Sequence, residues 1–408
     1  MAGSERLGVA IVGLGGAVAT TAVAGMELLR RGRVDTRGLP LAGVKGLGLV
    51  DYGALTFGGW DLFEEDLEQA ARNHAVLTET QLEAVAPVLR RMRPWPAAFN
   101  AKFCKNIVGT ATRKSSTLRE QVRAIRADLT RFKQEQGLER VVMVNLASTE
   151  RAVDLTRPEF ATPEAFEKAL DADDAEIGPA MLYAYAAIVD GIPFANFTPS
   201  VAADVPALML LAKRTGAPIA GKDGKTGQTL LKTVIAPTLR DRALHVEGWY
   251  STNILGNRDG EALDDPASKQ NKLDTKGAAL DSILGYKVPD HVVQIQYYRP
   301  RGDNKEAWDN IDVSGFLGQP MQLKLNFLCK DSILAAPLIV ELARTLDLAQ
   351  RRGEGGVIDA LGCFFNAPMS PDGQPVEHAT PEQQRRLMAW LGRDRARQAA
   401  TPQERLRG

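Results

Sequence analysis

An apolar run rich in β-branched residues, Gly8-Val-Ala-Ile-Val12, stops at Gly13-Leu-Gly15-Gly16 and gives way to helix-forming residues 17–31, closed by Gly32. This succession constrains the chain more than anything else in it. A strand apolar on both faces must be covered on both, as in a parallel sheet. A strand that turns on glycines into a helix opens a βαβ unit, so the expected frame is an open sheet flanked by helices. Glycines at that turn let a backbone approach a pyrophosphate, and the helix N-terminus adds N–H donors and a positive dipole end. Val18 stands where a third glycine of the dinucleotide fingerprint is expected, so a purely structural tight turn fits the same residues.

Further segments extend the alternation. Residues 46–51, 141–145 and 218–220 read as strands; 116–136, 180–189 and 206–214 read as helices. Past about residue 245 the pattern changes. Residues 292–298 and 321–327 alternate apolar with polar, the mark of half-exposed antiparallel strands. Residues 333–348 return to helical periodicity. The expected fold class is α/β: a Rossmann-like domain formed by 1–229 plus 331–408, with an inserted α+β domain, 230–330, carrying an antiparallel sheet. A length of 408 residues suits two domains. The charged tail from Pro381 is helix-permissive, and its last ten or so residues are expected to be disordered.

Fifty basic residues cancel fifty acidic ones, so no general field draws the chain to nucleic acid or an anionic membrane. No apolar run approaches the ~18 residues needed to span a bilayer, and the N-terminus lacks signal-peptide architecture. Cys104, Cys329 and Cys363 are widely spaced and suggest neither a disulfide framework nor a zinc pattern, which suits a reducing cytoplasm. Four histidines leave little material for a histidine-rich metal site.

Lys272 and Lys276 lie four apart, on one face if the segment is helical. Two ammonium groups that close repel, and one can lose its proton near neutral pH. Such a pair can serve as proton shuttle and oxyanion clamp; a solvated basic face fits the same spacing. Asp51 ends the expected second strand, where it would take ribose hydroxyls or cap a helix. Phe57-Gly-Gly-Trp-Asp61 fits turn chemistry as well as function. Ser148 and Thr149 follow strand 141–145, placed to touch a cofactor or to cap. Gly224-Lys225-Thr226 matches the second half of a phosphate loop, but the leading glycine would fall at Ile219, so that motif fails. Asp223 and Thr226, at a helix start, still fit an anion or ribose site. A polar cluster, Arg301-Gly-Asp-Asn-Lys305, precedes Asp331, which suits either a site or the cap of the next helix.

Together these segments resemble the myo-inositol-1-phosphate synthase family over nearly the whole chain, most strongly across 221–338. Lys225-Thr-Gly-Gln-Thr229 is similar to that family's K-[ST]-G-Q-T turn, and Ser251-Thr-Asn-Ile-Leu-Gly-Asn-Arg-Asp-Gly260 to its S-Y-N-x-L-G-N-N-D-G block. Tyr298-Arg-Pro-Arg-Gly-Asp-Asn-Lys305 resembles the block ending G-D-S-K. Cys329-Lys-Asp-Ser332 resembles C-E-D-S, and Phe57-Gly-Gly-Trp-Asp61 resembles G-G-W-D. The resemblance implies NAD-dependent cyclisation of glucose 6-phosphate to inositol 1-phosphate (3-phosphate) through C5 oxidation, enolisation, intramolecular aldol addition and reduction.

It further implies that Lys272, Lys276 and Lys305 move protons and stabilise oxyanions. Asp223 and Asp331 would orient those ammonium groups or the substrate hydroxyls, and Asn257 and Asp259 would lie near nicotinamide and substrate. Gly13, Gly15, Gly16, Asp61, Ser148, Thr149 and Thr226 would line the NAD site, which Asp51 joins on the strand-end reading above. A homotetramer is expected by analogy. A cation bridging the NAD phosphates through backbone oxygens would leave no signature.

Three departures stand out. Gly13-Leu-Gly-Gly-Ala-Val-Ala19 replaces G-x-G-G-N-N-G, Arg258 replaces an asparagine, and Asn366 in Gly362-Cys-Phe-Phe-Asn-Ala-Pro368 stands where the family has a lysine. Arg258 and Asn366 keep open a paralogue that cyclises another sugar phosphate, such as fructose 6-phosphate. A non-catalytic NAD-binding protein is the third reading, against which the lysine and aspartate cluster argues.

Overall fold

The computed structural model describes residues 5–104, 109–113, 117–256, 279–371 and 374–393. Its larger sheet is parallel throughout and contains β1 (Leu7–Val12), β2 (Leu55–Asp61), β3 (Trp95–Pro96), β4 (Arg140–Asn145), β5 (Phe194–Asn196), β6 (Pro218–Gly221) and β11 (Gly356–Val357). Across the sheet the order is β11-β6-β5-β4-β1-β2-β3. The chain therefore reverses direction between β1 and β4, the place where parallel sheets leave a crevice at their carboxyl ends.

The helices include α1 (Ala17–Arg30), α2 (Leu67–His74), α3 (Glu79–Leu89), α4 (Leu118–Glu135), α5 (Pro163–Asp171), α6 (Pro179–Val189), α7 (Pro206–Thr215), α8 (Gln228–Asp241), α9 (Asp331–Arg351) and α10 (Thr380–Leu391). Alternation along β1 divides them. Val9 and Ile11 enter a core shared with α1, α3 and α9, while Ala10 and Val12 enter one shared with α4, α5, α6 and α7. Both faces of the strand are thus dry, as its unbroken apolar run requires. No helix among the described residues is long and apolar enough to cross a membrane.

The smaller sheet holds β7 (His245–Leu255), β8 (Asp290–Tyr297), β9 (Asn304–Ser314) and β10 (Pro320–Lys330) in the order β10-β9-β7-β8. β9 pairs antiparallel with β7 and β10, as expected, but β8 runs parallel to β7. Residues 256–289 make the difference: a connection that long returns the chain to the start of β7, whereas a short hairpin would force the antiparallel pairing. One face packs Val246, Trp249, Ile311 and Val313 against Ala236 and Leu239 of α8.

Residues 46–51 form no strand. Gly46 and Gly48 both adopt φ +68°, which breaks an extended run. The segment is instead fastened to α9, with Arg344 Nε donating to the Val50 carbonyl at 2.6 Å. The second strand is the glycine-bearing 55–61. Its glycines are there for close approach: a Cβ on Gly59 would strike the Ile11 carbonyl oxygen, and one on Gly58 would stand 2.8 Å from the Phe132 ring.

Candidate active site

The crevice at the β1–β4 switch opens into a cavity of about 310 Å³. Its floor at one end is the turn after β1. Gly13 takes φ +86°, and a Cβ there would sit 3.1 Å from the Leu146 carbonyl and the Ala147 amide. A Cβ on Gly15 would meet the Asp61 carboxylate at 3.1 Å. Gly16 is the N-cap of α1 and supplies no side-chain cap, so the first-turn amides face the cavity with the positive end of the helix. This bare, side-chain-free cradle fits a pyrophosphate. Val18 lines the same cavity, so the missing third glycine does not close it.

Asp61, at the carboxyl end of β2, accepts from the Gly15 amide at 2.8 Å and lines the cavity. Asp51 does not come to it: it is exposed, ahead of a short helical turn at Tyr52–Ala54, and caps nothing with its side chain. The acid at the end of the true second strand is Asp61, because 46–51 is not that strand. Ser148 and Thr149 line the cavity from the loop after β4. Beside them Glu150 accepts from the Ala180 amide at 2.9 Å, at the start of α6, and burial pushes its carboxyl up to about 8.

The opposite end is built by residues 221–226, clasped between two neighbours. The Asp223 and Gly224 amides donate to the carbonyls of Thr198 and Phe197 at 3.0 Å each. On the other side Lys222 and Lys225 donate to Ala367 and Phe364, at 2.8 and 2.9 Å. Asp223 is held at φ +62°, and its Oδ2 accepts from Asn366 Nδ2 at 3.0 Å. A side chain at Gly224 would run into the Phe197 ring.

Three residues from different elements then converge. Asp331 Oδ1, in the first turn of α9, accepts from Thr226 Oγ1 at 2.7 Å and from Lys305 Nζ at 3.2 Å. The Lys305 side chain is only 11% exposed. An ammonium so fixed and so shielded is a strong clamp for a developing oxyanion. Asp331 does not cap α9; Asp303 does that work, taking the Ser332 hydroxyl at 2.6 Å and its amide at 3.2 Å. Asp303 carries no cue beyond its place in the 301–305 cluster.

Lys225 lies outside the cavity lining. Its Nζ donates to Gln383 Oε1 at 2.6 Å, and burial lowers it to about 8. It does not act as a phosphate-loop lysine, in keeping with the failed motif. Cys104 lines the cavity, but burial pushes its thiol up to about 12, so it is no nucleophile at neutral pH. Lys272, Lys276, Asn257, Asp259 and Arg258 lie outside the described residues. The structure adds wall residues that sequence alone did not single out. His74 Nε2 lies 2.8 Å from the Gly15 carbonyl, and Gln228 reaches from the head of α8 to Asp309. No local pattern marks His74, whereas Gln228 stands in the Lys225–Thr229 turn.

Comparisons with known proteins find similarity over most of the chain. The family model described as myo-inositol-1-phosphate synthase matches residues 44–392. The chain is 42% identical to inositol-3-phosphate synthase 1 of Bacteroides thetaiotaomicron over 398 residues, covering 91% of this chain and 92% of that one. The crystal structure of inositol-3-phosphate synthase from Caenorhabditis elegans superposes with a TM-score of 0.89 at 26% identity, covering 95% of this chain and 85% of that one. A myo-inositol-1-phosphate synthase-related protein from Thermotoga maritima gives 0.79 at 26% identity, covering 95% and 99%.

Proposed function

The chain belongs to the myo-inositol-1-phosphate synthase family, and from that premise we propose that it cyclises glucose 6-phosphate to inositol 1-phosphate (3-phosphate) with NAD as catalytic cofactor. One observation carries the reading: a single cavity joins the glycine turn at the head of α1 to the Lys305–Asp331–Asp223 group. A redox cofactor and a proton-moving cluster that serve one bound sugar must be that close.

When bound, NAD would supply the acceptor for the hydride at C5 of the sugar and the donor for its return. Gly13, Gly15 and Gly16 would hold its pyrophosphate at the N-terminus of α1, Asp61 its ribose, and Ser148, Thr149, Thr226 and Asp259 the remainder. Lys305, its ammonium fixed by Asp331, stabilises the charge that grows on the sugar oxygen as the C6 proton leaves. Lys272 and Lys276 share the task of moving that proton and stabilising the charge. Among the described lining residues Lys305 is outnumbered by the acidic Asp61, Glu65, Glu150, Asp223 and Asp331, so a phosphorylated sugar needs further positive charge, which this pair would supply. Asp223 and Asn257 orient hydroxyls. The walls at Phe99, Tyr183 and Phe197 keep the open-chain sugar curled, so that C6 meets C1.

In this reading 1–229 and 331–408 carry the cofactor, and 230–330 supply catalytic lysines and subunit contacts. A cation at the cofactor phosphates would rest on backbone oxygens, which leave no sequence signature. The assembly is a homotetramer of about 180 kDa, from a chain of 44.2 kDa, resident in the cytoplasm.

Phosphorus NMR of the purified protein with glucose 6-phosphate and sub-stoichiometric NAD⁺ tests the activity. A new inositol-phosphate resonance is expected without accumulation of NADH. Its absence from a protein that still binds NAD would remove glucose 6-phosphate as substrate; fructose 6-phosphate is the control.

A further inference from the structure

Asn366 is 6% exposed, lines the cavity and is bound on three counts to one strap of chain. Its backbone amide donates to the Asp223 carbonyl at 2.6 Å. Its side-chain Nδ2 donates to Asp223 Oδ2 at 3.0 Å and to the Gly224 carbonyl at 3.1 Å. Both amide protons are therefore spent. The flipped carboxamide would set its oxygen against a carboxylate and a carbonyl with no proton between them, so the neighbours dictate the orientation. What remains is Oδ1, buried and without a hydrogen-bond partner among the described residues. Buried amide oxygens in folded chains almost always find a donor.

We infer that Asn366 is a specificity-determining residue: Oδ1 accepts a hydrogen bond from one secondary hydroxyl, at C2, C3 or C4, of the acyclic sugar phosphate, while Nδ2 holds the Asp223 carboxylate for a neighbouring hydroxyl. The inference rests on the proposed function. A neutral acceptor whose own protons are occupied welcomes an O–H or N–H and repels phosphate oxygens, so the substrate's phosphate lies elsewhere in the cavity. A site built to bond a hydroxyl discriminates strongly against the analogue that lacks it, because its own polar atom is then left alone.

The same chemistry would accept the carboxamide N–H of the nicotinamide, so the test separates the two donors. Wild type, Asn366→Ala and Asn366→Ser are assayed with glucose 6-phosphate and its 2-, 3- and 4-deoxy analogues, alongside NAD affinity and melting temperature. In wild type each missing hydroxyl lowers kcat/KM. In both variants one of the three penalties is expected to shrink by about tenfold or more while the other two persist and NAD affinity holds within about twofold. A general loss of packing would not erase one hydroxyl's penalty selectively. Three penalties unchanged in the variants would overturn the assignment. So would a tenfold loss of NAD affinity with all three retained, which would identify the nicotinamide as donor. If wild type makes no inositol phosphate from glucose 6-phosphate, the functional reading itself fails before any variant is compared, and this inference with it.

Discussion

Gly13 occupies a backbone conformation that L residues adopt at a cost of about 1–2 kcal/mol, and a methyl there would press on Leu146 and Ala147 at 3.1 Å. Gly13→Ala is expected to lower stability by about that amount and NAD affinity at least tenfold, read by urea unfolding and by cofactor titration; unchanged affinity would mean that the turn does not cradle the pyrophosphate. Lys305 is the second residue to change. Without its ammonium, Asp331 keeps Thr226, so the fold and cofactor site stand while the clamp is lost. Lys305→Ala should reduce kcat by ~10²–10³ and leave NAD affinity nearly unchanged; turnover near wild type would exclude it from the chemistry. Lys305, Asp331 and Asp223 were legible because short motifs mark them. Asp51 was misread in favour of a strand that does not form. The lone acceptor of Asn366 had no local signal at all, since it exists only through neighbours 142 and 143 positions away.

Helix α4 shows how much a local pattern carries. Thr117 accepts from the Glu120 amide at 3.2 Å, and Glu120 Oε2 accepts from the Thr117 amide at 3.3 Å. This capping box was within reach of the residue order, and Thr117→Ala should cost about 1 kcal/mol in urea or thermal unfolding without changing cofactor affinity. Helix α8 carries a different tension. Its Lys232 is buried beneath the smaller sheet, 2.7 Å from His291 Nε2 and over the Trp249 ring. Burial lowers Lys232 from 10.5 to about 8, and burial with the nearby ammonium lowers His291 to about 4. Between pH 8 and 10.5 the unfolded chain holds a proton that folded Lys232 has released, so stability rises with pH across that window. Below pH 8 the folded state bears the full cost of the buried charge, on the order of 3 kcal/mol. Lys232→Met should therefore raise the urea midpoint at pH 7 and flatten the rise above pH 8. Lys225 titrates in the same direction and keeps part of that slope. A midpoint that drops at pH 7 would show that the lysine's contacts outweigh its desolvation.

At the scale of the molecule, the smaller sheet leaves β10 as an edge of 11 residues with Met321 at 46%, Leu323 at 37% and Leu328 at 57% exposure. The turn before it presents Phe316 and Leu317 at 89% and 76%. An edge this long and apolar invites association unless something covers it, and a second copy of the chain is the cover expected of a homotetramer. The double variant Leu323→Glu, Leu328→Glu should elute in sizing chromatography well below ~180 kDa; wild type eluting as a monomer would end the tetramer reading. The strand–glycine–helix opening, most helices and the lysine–aspartate motifs could be read from residue order, because periodicity, turn chemistry and caps act within a few positions. The parallel pairing of β8 and the exclusion of Asp51 from the cavity could not. Nor could the meeting of Gly13, Asp61, Asp223, Lys305, Asp331 and Asn366 around one cavity. Those depend on strand order and on elements hundreds of residues apart packing against a common sheet, an outcome of the whole chain's burial that no single segment contains.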